Sequence, residues 1–280
     1  MKIDKNFILH RSHKKPILID TFYSETKAKQ PLVIFCHGYK GFKDWGAWNV
    51  MAKQISEAGY CFVKFNFSHN GGTMQDPIDF PDLEAFGHNN YTKELDDLAD
   101  VIDWATHKFN DNPNIETDRI TLIGHSRGGG IVIVKASEDS RITKLITLAS
   151  VSDFGKRTAT SGELESWKKD GVKYVLNGRT KQQMPHYYQF YEDFKANEER
   201  LHIASAEKRL QLPHLIIHGD NDPSVKIDEG KALHQWNPNS QFRIIGGADH
   251  VFNVKHPWDN DQLSKEFQEV TDAMVEFLRN

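Results

Sequence analysis

Gly124-His125-Ser126-Arg127-Gly128 is the segment of this chain best built for chemistry. A serine hydroxyl is nearly inert at neutral pH, so it attacks a carbonyl only where the backbone exposes it beside a base. Glycines two before and two after Ser126 permit a sharp turn that larger residues would block. Residues 119–123 before the turn read as a strand, and the residues after it read as a helix. The hydroxyl would then stand at a strand end and at a helix N-terminus, whose dipole favours an oxyanion. A Gly-rich helix entry with an incidental serine is the plainer alternative, and the strand–turn–helix context argues against it.

A nucleophilic serine needs a base and an acid that orients the base. Two later loops offer them: His218-Gly219-Asp220-Asn221-Asp222-Pro223-Ser224-Val225, and Gly246-Gly247-Ala248-Asp249-His250-Val251-Phe252. Both leave the carboxyl ends of strand-like runs, the edge where such sheets place ligands. Of the fourteen histidines, His250 alone sits just after the last strand-like run. His214 and His218 bracket an apolar run, His234 falls in a helical pattern and His256 lies further on. Asp220 and Asp222 both stand on the acid loop. Asp220 follows the strand-ending glycine and can shape the turn, whereas Asp222 lies where it could reach the ring of His250 and is the favoured acid.

His37-Gly38-Tyr39-Lys40-Gly41 follows the apolar run 31–36. Gly38 lets the chain turn tightly, so that the Tyr39 amide, with that of Arg127, would form an oxyanion hole worth about 3–4 kcal/mol per donor. His37 invites a metal assignment, but no carboxylate or second histidine stands beside it at ligand spacing. A packed histidine at a strand end is the better reading. With serine, imidazole and backbone amides in place, neither a metal nor an organic cofactor is expected.

These residues must be held by strands and helices in alternation. Strand-like runs cover 6–10, 17–22, 31–36, 60–67, 119–123, Ile142–Leu148, 214–217 and Gln241–Ile245. Leu32-Val33-Ile34-Phe35 is continuously apolar, as suits a strand buried on both faces of a parallel sheet. Leu95, Leu98, Val101 and Ile102 form one helical stripe, with Asn90 as its cap. Leu263, Phe267, Val270, Met274 and Phe277 form another. The first two strands have no helix between them, which predicts an antiparallel hairpin at the sheet edge. Two stretches break the rhythm: 68–89, rich in Gly and Pro, and 151–212, read as a helical cap of about three short helices inserted into a core of 1–150 and 213–280.

The HG turn at His37-Gly38, the GHSRGG elbow at 124–129, the HGxxDxxV pattern at 218–225 and the Asp249-His250 pair together resemble the α/β-hydrolase superfamily, over nearly the whole chain. The resemblance implies a mostly parallel eight-stranded sheet with helices on both faces and the triad Ser126, Asp222, His250. Within the superfamily the chain looks like the dienelactone hydrolase and cinnamoyl (feruloyl) esterase groups, which carry a cap before the acid strand. Dienelactone hydrolases use a cysteine nucleophile, from which Ser126 departs.

The cap segment carries the substrate hint. Tyr187, Phe190, Tyr191 and Phe194 would fall on one face of a helix, either gluing the cap to the core or lining an apolar or aromatic acyl pocket. Trp45 and Trp48 face the same choice. Arg127 reads as a structural or solvated arginine, with a carboxylate anchor as the alternative.

Composition narrows the partners. The 280 residues are 38% hydrophobic and 26% charged, with a net charge of -4 and a pI near 6.4. Lys and Arg are scattered, with no basic stripe for nucleic acid. No apolar run reaches the roughly 18 residues of a membrane span. The charged N-terminus lacks a signal peptide's apolar core, so a cytoplasmic location is the default, although a leader removed earlier would leave no trace. Cys36 and Cys61 sit in apolar runs and read as buried small hydrophobes. The expected function is a carboxylesterase acting on small or aromatic esters, with no partner beyond that substrate and no oligomeric state implied. A serine peptidase or amidase, and a non-catalytic binding protein on the same scaffold, are the alternatives.

Overall fold

In a computed structural model, which describes residues 1–25, 28–158 and 164–280, eight strands form one sheet. They are β1 (Lys2–Arg11), β2 (Lys14–Tyr23), β3 (Gln30–Cys36), β4 (Cys61–Phe65), β5 (Ile115–His125), β6 (Ile142–Leu148), and, after a separate two-stranded sheet of β7 (Val172–Leu176) and β8 (Gln183–Tyr187), β9 (His214–Gly219) and β10 (Gln241–Ile245). The order across the sheet is β1-β2-β4-β3-β5-β6-β9-β10. β1 and β2 pair antiparallel at one edge, as their helix-free connection predicts, and β2 meets β4 antiparallel. From β4 to β10 every neighbour is parallel.

The alternation of side chains along each strand divides the core. Leu32, Ile34 and Cys36 of β3 enter one cluster while Val33 and Phe35 enter the other. On the first face lie α3 (Tyr91–Phe109), α4 (Arg127–Glu138), α8 (Ile203–Arg209) and α9 (Ile227–Trp236). On the second lie α1 (Trp48–Glu57) and α10 (Lys265–Arg279). Two-faced burial explains why the central strands read as unbroken apolar runs. Asn90 caps α3 by accepting the Lys93 amide at 2.9 Å. Cys36 and Cys61 are fully buried free thiols whose pKa burial pushes up. No helix among the described residues is long and apolar enough to cross a membrane.

The 68–89 stretch holds one short helix, α2 (Leu83–Gly87). Segment 151–212 is not helices alone. It carries α5 (Gly155–Thr158), α6 (Leu164–Asp170), the antiparallel strands β7 (Val172–Leu176) and β8 (Gln183–Tyr187), α7 (Gln189–Ala196) and α8. The hairpin corrects the expectation that Tyr187 shares a helical face with Phe190. Tyr187 ends β8, because Asn177-Gly178 turns the chain back and Pro185 favours extended backbone; the helix starts two residues later.

A buried charge quartet lies under the turn after β3. Asp20 of β2 stands opposite Lys64 of β4. The Lys64 ammonium reaches Asp20 and Asp44, both at 2.7 Å, and that of Lys43 reaches Asp20 at 2.9 Å and Asp44 at 2.5 Å. Asp20, Lys43 and Lys64 have no solvent exposure.

Candidate active site

Ser126 joins β5 to α4 with φ 57° and ψ -118°, a left-handed conformation unusual for a residue with a side chain. Its neighbours explain the glycines. A Cβ at Gly124 would stand 2.3 Å from the Gly128 carbonyl oxygen, and one at Gly128 would stand 2.6 Å from the carbonyl oxygens of Cys36 and His37. The elbow is thus pressed both against itself and against the end of β3.

His250 and Asp222 arrive from the loops after β10 and β9. The Ser126 hydroxyl lies 3.0 Å from His250 Nε2, and His250 Nδ1 lies 2.7 Å from Asp222 Oδ2. With the ring proton on Nδ1, directed at the carboxylate, Nε2 is left to accept from the serine. Asp222 Oδ1 accepts the amides of Ser224 and Val225 at 2.8 and 2.9 Å. Burial works to raise the Asp222 pKa, but His218, His250 and the Val225 amide overrule it and hold the carboxylate well below the usual range. Asp220 is elsewhere engaged: its Oδ1 accepts the Gly247 amide at 2.7 Å, which ties the two loops together.

Gly38 passes directly against the elbow, since a Cβ there would meet Ser126 Cβ at 2.9 Å. Tyr39 is the next residue in the turn after β3, and Arg127 follows the serine and opens α4, where first-turn N–H groups have no intrahelical acceptor. His37 packs as a strand-end histidine. It donates from Nδ1 to the Gly38 carbonyl at 2.9 Å and accepts the Phe67 amide at 3.2 Å, and burial drops its pKa to about 4.

A cavity of about 750 Å³ opens over Ser126 and His250. Five aromatic residues line it: Tyr39, Tyr91, Phe154, Trp167 and Phe190. Of the substrate candidates, Phe190 lines it and three others do not. Trp45 lies near His256 and Trp48, with ring centroids 6.1 and 6.0 Å away. Tyr187 donates its hydroxyl to Glu84 at 2.5 Å, and Tyr191 lies beside Tyr188, 5.6 Å between centroids.

The structure adds groups that sequence reasoning missed. His125 donates from Nε2 to the His250 carbonyl at 2.9 Å, and burial, followed by the charge of His250, pulls its pKa to about 3. Its place inside the GHSRGG motif was the available signal. In β8, His186 lines the cavity, and its Nε2 is hydrogen-bonded to the Tyr39 hydroxyl at 2.7 Å. Burial, with Arg127 nearby, drops its pKa to about 3.

The profile of the family described as alpha/beta hydrolase fold matches residues 31–182. The chain belongs to that family. A 31.7 kDa protein from the traX-finO intergenic region of Escherichia coli is 25% identical over 80% of this chain and 84% of its own length. The 2-hydroxymuconate semialdehyde hydrolase of Pseudomonas sp. strain CF600 is 22% identical over 91% of this chain and 92% of its own. The structure of Est1E from Butyrivibrio proteoclasticus with ferulic acid bound superposes with a TM-score of 0.73, covering 97% of each chain at 19% identity. That likeness is one of fold.

Proposed function

We propose that this member of the family is a serine hydrolase that cleaves carboxylic esters through an acyl-enzyme on Ser126. The observation that carries this reading is the continuous hydrogen-bonded chain from Ser126 Oγ through His250 to Asp222, opening into a cavity lined by five aromatic residues. His250 Nε2 takes the serine proton as Oγ attacks the ester carbonyl. The Tyr39 and Arg127 amides receive the oxyanion. The protonated imidazole then gives its proton to the departing alkoxide, and water repeats the sequence on the acyl group. Residues 151–212 serve as the cap that closes the acyl pocket over the core, and Phe154, Trp167 and Phe190 are the aromatic groups they contribute to its wall. A ferulic-acid complex on the same fold supports esters of aromatic acids as substrates.

The test sets p-nitrophenyl acetate against aminoacyl p-nitroanilides, with fluorophosphonate labelling of Ser126. Ester turnover and a label on Ser126 support the reading. Turnover of the anilides alone would make the protein an amidase, and absence of both label and turnover would overturn the mechanism.

A further inference from the structure

Arg127 follows the serine, and its side chain runs along the cavity wall. Its guanidinium carbon lies 4.4 Å from the Tyr39 ring centroid, 5.3 Å from that of Tyr91 and 5.4 Å from that of Phe190. Three rings hold the cation in place and keep water from its flanks. Among the described residues its carboxylate partner is Glu94, with Nη1 and Oε1 3.5 Å apart, well beyond the roughly 2.7–2.9 Å of a strong charge-assisted bond. That Oε1 already accepts from Asn89 at 2.7 Å.

Arg11, the other well-buried arginine, behaves differently. It bonds Asp97 at 2.6 Å, Asp100 at 2.7 Å and the Lys15 carbonyl through Nε at 3.0 Å. An arginine has five N–H donors. Among the described residues Arg127 commits one, weakly, while bordering the space where substrate must lie. The wall around it also carries Lys156, Arg157 and Lys173. Its one acid among the described residues, Glu229, is taken up by Arg157 and by the Ser152 amide.

We propose that Arg127 docks a carboxylate on the substrate, so that the preferred esters carry a second, free carboxyl group. This rests on the ester-hydrolase reading above. A planar fork of donors matches a carboxylate in two bonds, which a neutral acyl chain cannot use.

Two pairs of near-isosteric esters test it: p-nitrophenyl hydrogen glutarate against p-nitrophenyl pentanoate for a carboxylate on the acyl side, and 4-carboxyphenyl against 4-methylphenyl butanoate for one on the alcohol side. The parent protein should prefer the charged member of one pair in kcat/KM by about tenfold or more at low salt, with the gain falling as salt rises. In Arg127→Met the preference ratio should collapse, chiefly through KM of the charged ester, and Arg127→Lys should restore part of it. If Arg127→Met leaves Glu94 buried without a cation and fails to fold, the double variant with Glu94→Gln removes that charge and gives the same ratio. Equal turnover of both members in both pairs by the parent protein overturns the carboxylate site and leaves the hydrolase reading intact. Turnover of no ester defeats that earlier reading instead.

Discussion

The ring of His125 holds the main chain of His250: its Nε2 lies 2.9 Å from the His250 carbonyl oxygen, and the two ring centroids are 4.9 Å apart. The residue before the proposed nucleophile thus fixes the loop of the proposed base. His125→Phe keeps an aromatic ring but removes the donor to the part-buried His250 carbonyl, at a cost of about 1 kcal/mol. We expect kcat to fall by roughly tenfold or more with little change in KM; an unchanged kcat would show that the loop holds itself.

Ser126→Ala removes one hydroxyl from a turn fixed by its backbone. Activity should fall by on the order of 10⁵–10⁶-fold with an unaltered circular dichroism spectrum and no fluorophosphonate labelling.

Asp222→Asn retains an oxygen for the Ser224 and Val225 amides but disfavours the His250 tautomer with its proton on Nδ1. The rate should drop by on the order of 10⁴-fold. Asp220→Asn, which touches only the Gly247 amide among the described residues, should be far milder. Initial rates on one ester decide between them, and the reverse ranking moves the acid to Asp220.

Three buried histidines make folding sensitive to acid. His37, His125 and His186 are held to about 4, 3 and 3, each first by burial and each below the ordinary 6.5. Between those values the unfolded chain binds more protons than the folded one, so stability falls as pH is lowered from 6.5 towards 4. Urea midpoints should fall over that window and stay nearly flat just above it. His186→Phe should make the fall shallower.

Asp20→Ala leaves two fully buried ammonium groups with Asp44 alone. The loss should be about 3–5 kcal/mol, read as a lower urea midpoint with an unchanged slope.

Much of the fold was legible because two-faced burial writes strands as apolar runs. All eight expected strands appear in one sheet, and the helix-free connection between the first two marks its antiparallel edge. The elbow was legible because close backbone contact restricts two of its positions to glycine. The charge quartet was not, since Asp20 sits inside the apolar strand β2 and meets Lys64 only once β2 is known to lie beside β4. The β7–β8 hairpin was masked by aromatic residues whose spacing also fits a helix. A helical spacing puts Tyr187 and Phe190 on one face, yet of the two Phe190 alone lines the cavity.

The 2.7 Å bond between the Tyr39 hydroxyl and His186 gives one residue two allegiances. Its backbone follows Gly38 in the turn packed against Ser126, while its phenol meets strand β8. The turn beside the proposed nucleophile and the β7–β8 hairpin are thus tied through one side chain, so neither can be repositioned without carrying the other or giving up this bond.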